Sequence, residues 1–258
     1  MSNWMYGFCE TLRTSDLFTA GASTTTGVSG GAITAVCLQA GVSLSPDSEF
    51  QRALRAALKR KGSNTTLAIR DALDAALPSD VATRIGGRAR IAIVRADGTA
   101  WRTRQPRLFE TFEDKADVIG AVCASAHLPY LMNGEATATW RGKAYQDAAC
   151  FGYLTMPVQG AVHVAVVPPR GFTPPGEDAP GLDFLGHRIL NSRGQAPSDA
   201  HPWLADEADL RSELPTGFFG QVADLIGVAR RRGAGKQRYE MGKEAFGMWS
   251  RRELALRA

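Results

Sequence analysis

Apolar residues recur at spacings of three and four in several stretches of the chain, and each such stretch predicts a helix that buries one face. Phe50, Leu54, Ala57 and Leu58 make one set; Leu67, Ile69, Leu73, Ala76 and Leu77 make a second, with Gly62-Ser63-Asn64 as the turn between them. Ser45-Pro46-Asp47 is the start signal of the first, and Pro78-Ser79-Asp80 ends the second. Near the start, Trp4, Met5, Phe8 and Leu12 suit the buried face of a helix that Thr14-Ser15-Asp16 breaks. Phe218, Phe219, Val222, Leu225, Ile226 and Ala229 define a last amphipathic helix, and Phe246, Met248 and Trp249 an apolar tail.

Strand patterns are interleaved with these. Ala89-Arg90-Ile91-Ala92-Ile93-Val94 alternates and is rich in β-branched residues, and Asp97-Gly98 reads as a hairpin turn into residues 99–103. Gly86-Gly87-Arg88 opens that strand rather than a helix, so a plain turn is the expectation over an anion cradle. Residues 117–125 read as a short apolar helix that gives way before Pro129, because the residue ahead of a proline is pushed out of the helical region. A turn and strand then run from Trp140 to Gln146 and end at Asp147, and residues 162–167 make a further buried strand. There is no internal repeat and no linker between two cores. The expectation is one α/β domain over residues 1–258, with a core at about 7–170, an irregular Pro/Gly-rich loop at 168–215 and a helical tail at 216–258.

Composition changes this picture little. The formal charge of +4, from 30 Lys+Arg against 26 Asp+Glu, is too slight an excess to argue for nucleic acid. The basic residues do crowd toward the end, with Arg230-Arg231-Arg232, Lys236, Arg238, Lys243, Arg251 and Arg252. Interleaved with the aromatic residues of 218–249, they form a candidate contact for anionic lipid headgroups, against the plainer reading of a solvated helix face. Cys9, Cys37, Cys123 and Cys150 show no C-x-x-C pair and lie in apolar or small-residue settings, which reads as buried thiols in a reducing compartment. No apolar run approaches a membrane span and no signal pattern opens the chain, so a cytoplasmic protein is the expectation, with peripheral contact to a membrane or lipid droplet as the alternative that the headgroup reading adds.

The chemistry concentrates in Ser23-Thr24-Thr25-Thr26-Gly27-Val28-Ser29-Gly30-Gly31-Ala32. A β-branched run leads into Gly-x-Ser-x-Gly and an apolar run follows, which is strand, sharp turn and helix. A serine on such an elbow needs glycine two places before and after it, here Gly27 and Gly31, because the tight turn leaves no room for side chains. The helix behind Ser29 points free N–H groups and its positive end at the hydroxyl, where they stabilise an oxyanion. Asp147 ends a strand and is followed by two small residues; strand ends are where ligands sit in open α/β sheets, although a lone Asp there is more often a cap or turn former.

With both residues in hand, the chain resembles the patatin-like phospholipase family. The resemblance is carried by Gly27-Val28-Ser29-Gly30-Gly31-Ala32, by Ala124-Ser125-Ala126-His127-Leu128-Pro129, by Tyr145-Gln146-Asp147-Ala148-Ala149 and by Thr155-Met156-Pro157, in that order. It implies a three-layer α/β/α sandwich with a mostly parallel central sheet, including strands that end near Thr26, Val94, Asp147 and Val167. It also implies a Ser29-Asp147 catalytic dyad that hydrolyses lipid acyl esters without cofactor or metal. Ser29 would attack the acyl carbonyl, Asp147 would take and return the proton, and the backbone N–H of Gly30 would be one oxyanion donor. The sequence departs from the family at Asp147-Ala148-Ala149, where Asp-Gly-Gly or Asp-Gly-Ala is usual. The family's remaining oxyanion donors lie in a glycine-rich loop ahead of the serine; Tyr6 to Leu12 resembles the helix after that loop, and no glycine precedes Gly7. A chain that starts beyond the loop is expected to be a slow esterase.

Two other readings stand beside this one. An α/β-hydrolase with a Ser-Asp-His triad would need His163, His187 or His201, but that fold places several strands before its elbow. A catalytically impaired lipid-binding or interaction module would keep the fold without the oxyanion loop. Neither a metal-ligand spacing nor a nucleotide-binding fingerprint is present.

Overall fold

In the computed structural model, the residues described are 2–62, 64–96, 106–151, 183–184, 187–188, 236, 239–244, 246–247 and 250–251. The chain opens with α1 (Ser2–Arg13), then β1 (Thr25–Val28) and α2 (Gly30–Ala40). Three helices follow: α3 (Glu49–Lys61), α4 (Thr65–Ala76) and the short α5 (Val81–Ile85). Next come β2 (Ala89–Arg95), β3 (Pro106–Phe109), α6 (Lys115–Ser125), β4 (Ala138–Trp140) and β5 (Lys143–Gln146). A 3₁₀ turn (Ala148–Phe151) succeeds β5, and β6 (Asp183–Phe184) pairs with β7 (His187–Arg188) as a separate ribbon.

The helices predicted over 4–12, 50–58, 67–77 and 117–125 form where expected, and their ends follow local chemistry. The oxygen of Ser48 accepts from Gln51 N–H and caps α3, three residues beyond the Ser45-Pro46-Asp47 signal. Asn64 Oδ1 accepts from Leu67 N–H at 3.0 Å to open α4, and Asp114 does the same for α6. At the other end of α2, Gly41 adopts φ 72° and returns its N–H to the last carbonyls. Residues 32 to 40 of α2 are all buried, so this helix lies inside the core rather than on its surface. Ile91, Ala92, Ile93 and Val94 of β2 are likewise fully buried.

The sheet differs from the mostly parallel one expected. Only the β1–β2 pair is parallel among the described residues; β2–β3, β2–β5 and β4–β5 are antiparallel. The architecture is mixed α/β with a mixed sheet. The expected Asp97-Gly98 turn and residues 99–103 lie outside the described residues, as do the 162–167 strand and the 218–229 helix.

Register explains what the sheet does for the site. β1 pairs with β2 over Ala89 to Ala92, β5 pairs with β2 at Val94 and Arg95, and β3 occupies Ile91 to Val94. Since β3 meets both at shared residues, β1 and β5 lie on the other edge of β2, one beyond the other. β1 is parallel to β2 and β5 antiparallel, so their C-terminal ends face each other, with Val28 opposite Ala92 and Gln146 opposite Val94. The residues that follow these ends are Ser29 and Asp147.

Toward the other end of the chain, the described residues around Tyr239 and Phe246 are helical and pack on α1. The Phe8 and Phe246 rings meet edge to face at 5.4 Å. A Cβ on Gly7 would collide with the Tyr239 carbonyl, so close helix packing accounts for that glycine. Tyr239 and Phe246 are both buried, which removes these two from the aromatic residues expected to contact lipid. Arg230-Arg231-Arg232 lie outside the described residues.

Candidate active site

Ser29 occupies the single residue between β1 and α2, at φ 57° and ψ −127°. That conformation is costly for any residue with a Cβ, of order 1–3 kcal/mol, and persists only where surrounding structure holds it. The holding groups are visible. A Cβ on Gly27 would fall on the Gly31 carbonyl and 2.5 Å from the Ala32 nitrogen, so the strand can approach the first turn of α2 only as glycine. Gly31 itself has open space where a Cβ would project. The expectation that both glycines are required by crowding is therefore corrected for Gly31.

The third element is one the motif reading did not assign a role. Ser125, fully buried at the end of α6, accepts from Ser29 N–H at 3.0 Å and donates to the Ala92 carbonyl at 2.8 Å. Its hydroxyl thus fills the break in the sheet between the end of β1 and the end of β5, and ties the elbow to β2. Ser29 N–H is spoken for, and its hydroxyl does not cap the helix it precedes. The side chain is left for chemistry.

Asp147 is fully buried and near enough for the Ser29 hydroxyl to act on its carboxyl, whereas Ser29 and Gly30 are half-exposed. Burial is the main reason its carboxyl rises from the ordinary value of 3.8 to about 7. Two groups oppose the rise: the nearby Ser29 hydroxyl and the Ala149 N–H, which donates to Oδ1 at 2.8 Å. Oδ2 makes no hydrogen bond of regular geometry. Proximity to Ser29 is thus enough to favour the charged carboxylate, while the contact is looser than a formed hydrogen bond, as is common in resting sites. Ala148 and Ala149 lie in the 3₁₀ turn without positive φ, so alanine is accommodated at both positions.

The backbone of Asp147 is fixed as well. Its N–H donates to the His127 carbonyl at 3.0 Å, and its own carbonyl accepts from Cys150 N–H. His127 is buried, and its Nε2 sits 3.1 Å from the Glu135 carbonyl, which requires the Nε2–H tautomer. Burial lowers its pKa and keeps the ring neutral. Nδ1 has no partner. His127 and Ser125 both fall in the Ala-Ser-x-x-x-Pro block, and that block was the signal from which their roles could have been found.

Gly30 is the first residue of α2, so its N–H has no carbonyl within the helix to bond. The arrangement supplies a half-exposed hydroxyl, a buried carboxylate of raised pKa beside it, and free N–H groups at a helix start. That set can perform acyl transfer. Of the triad histidines, His163 and His201 lie outside the described residues, and His187 is in β7, its side chain likewise undescribed. Among the described residues no three His, Cys, Asp or Glu side chains gather to hold a metal, and no helix is long and apolar enough to cross a membrane. Compared with protein-family models, curated proteins and solved structures, the chain finds no match.

Proposed function

We propose that this chain is a serine acyl hydrolase of the lipase or phospholipase type, with Ser29 and Asp147 as its dyad. The finer architecture that goes with this reading is the patatin-like three-layer α/β/α sandwich. The observation that carries it is the pairing of a strained elbow serine with a fully buried carboxylate, brought tip to tip by two strands on one edge of β2.

Ser29 Oγ attacks the acyl carbonyl as Asp147 accepts its proton. The carbonyl oxygen becomes an oxyanion that receives the Gly30 N–H and the positive end of α2. Collapse of the tetrahedral species breaks the ester C–O bond, and Asp147 gives its proton to the leaving alcohol. A water then attacks the acyl-Ser29 ester with Asp147 again as base, releasing the fatty acid and restoring the hydroxyl. A carboxylate of ordinary pKa is a weak base for a serine; one raised to about 7 is better matched to the task.

The competing module reading, a lipid-binding protein without turnover, predicts the same fold and no hydrolysis. The test is turnover of a soluble short-chain acyl ester by the wild type, Ser29→Ala and Asp147→Asn. The dyad requires activity in the first and loss by 10³-fold or more in the other two. Activity that survives Ser29→Ala refutes the assignment.

A further inference from the structure

The segment after α6 holds two large apolar side chains out of the core. Tyr130 is 69% exposed and Leu131 53%, and the other exposed large apolar side chain among the described residues, Leu108, lies apart on β3. A loose loop would explain such exposure, but this loop is not loose. Tyr130 N–H donates to the Glu135 carbonyl at 2.8 Å, and that same oxygen meets His127 Nε2. Leu131 N–H donates to the Leu128 carbonyl, Glu135 N–H to Asn133 Oδ1, and the neighbouring Met132 is buried. Tyr130 also sits at φ 63°, a conformation unfavourable for an aromatic residue that the closed loop imposes. Tyr130 and Leu131 thus stand exposed on a loop held by its own hydrogen bonds.

Two connections locate this pair. His127, three residues before Tyr130, accepts the Asp147 N–H, so the loop stands on the backbone of the candidate base. On its other flank the Met132 carbonyl accepts from Thr65 N–H at 2.7 Å, which fastens it to the α3–α4 turn. α3 ends there in Lys59, Arg60 and Lys61, all exposed. Arg60 reaches Asp71 at 3.4 Å, and Lys59 and Lys61 extend into solvent; Glu135 is the one acidic residue on the loop. An outward Tyr-Leu pair on a loop fastened to the turn that follows this basic helix end is a combination that inserts apolar groups at a headgroup boundary while nearby cations meet anionic lipid.

We infer that the Tyr130-Leu131 loop, aided by the exposed basic end of α3, docks this protein on an anionic lipid surface and presents the Ser29-Asp147 site to that surface. The choice of lipid as occupant rests on the hydrolase reading above. This surface is distinct from the basic C-terminal segment, whose Tyr239 and Phe246 are used in packing on α1.

The test is co-flotation with vesicles of phosphatidylcholine alone or with 30 mol%-scale phosphatidylglycerol, roughly the anionic content that makes such electrostatics measurable. The proteins compared are wild type, Tyr130→Ser/Leu131→Ser, Lys59→Ser/Lys61→Ser and Ser29→Ala, each checked for an unchanged thermal melt because the replaced surface side chains are exposed. Wild type and Ser29→Ala should float with the anionic vesicles. The Tyr130/Leu131 variant should lose at least about tenfold in affinity on them, and the lysine variant should lose the salt-sensitive part of binding. Binding by the Tyr130/Leu131 variant equal to wild type overturns the inference. So does a wild type that ignores both vesicles, or one that elutes as a dimer which the Tyr130/Leu131 change dissociates. Loop-dependent binding without any ester hydrolysis leaves the surface standing and removes the hydrolase reading; hydrolysis without loop-dependent binding does the reverse.

Discussion

Asp147→Asn should stabilise this protein above neutral pH while abolishing turnover. Burial raises the carboxyl from 3.8 to about 7, so the folded state holds a proton that the unfolded chain has released. A raised folded pKa means that the protonated form contributes stability in full below pH ~3.8, and that this contribution is lost as pH rises toward and through about 7. The loss runs at about 1.4 kcal/mol per pH unit over roughly three units, so charging Asp147 in place costs about 4 kcal/mol at pH 8. Asparagine cannot ionise, and its Oδ1 can still accept the Ala149 N–H. The difference between variant and wild type should therefore be near zero at pH 4 and grow to about 4 kcal/mol by pH 8. For a chain of this size that is a rise in Tm of the order of 10 °C. Urea denaturation of both proteins at pH 4, 6 and 8 reads this directly, since other titrating groups cancel in the difference. A variant no more stable at pH 8 than at pH 4, relative to wild type, would refute the claim that the base is held in a desolvated, charge-disfavouring site.

The same shift governs rate, because the dyad needs the carboxylate: hydrolysis of a soluble ester should climb with pH through an apparent pKa near 7, and a profile already flat at pH 5 contradicts it. Chelators should leave that turnover unchanged, since Ser-Asp acyl transfer calls on no Lewis acid. Ser125→Ala should leave the Ser29 N–H and the Ala92 carbonyl without their bridge, costing about 1–3 kcal/mol of stability and at least tenfold in kcat; a melt and kinetics matching wild type would remove its positioning role. Gly27→Ala should prevent accumulation of folded protein, while Gly31→Ala should fold with a melt within a few degrees of wild type, because only the first position faces backbone at collision distance.

What could be read from the sequence was local. Heptad-like spacing over Phe50 to Leu58 and Leu67 to Leu77 was enough for α3 and α4, and Gly-x-Ser-x-Gly was enough for the elbow, because these signals rest on neighbours in the chain. Asp147 was legible as a strand end followed by small residues. Its burial was not, since that depends on which strands share an edge of β2, and the pairing of β1, β3 and β5 is set by long-range contacts with no period of its own. Short strands such as β3 and β4 carry too few residues to show an alternation, and nothing local says that β5 runs antiparallel to β2. Ser125 illustrates the same limit: a serine at a helix end has no sequence mark that says it spans the gap between two strand tips. Tyr130 looked like any residue after a proline until its φ and exposure were known.

Whether Ser29 is a nucleophile activated by Asp147 is read most directly, and without knowledge of the substrate, by covalent capture with a fluorophosphonate probe followed by intact mass and peptide mapping. The prediction is one adduct per chain, on Ser29, absent from Ser29→Ala, much slower in Asp147→Asn, and forming faster as pH rises through about 7. No adduct at pH 8, or an adduct on another residue while Ser29 stays free, contradicts it.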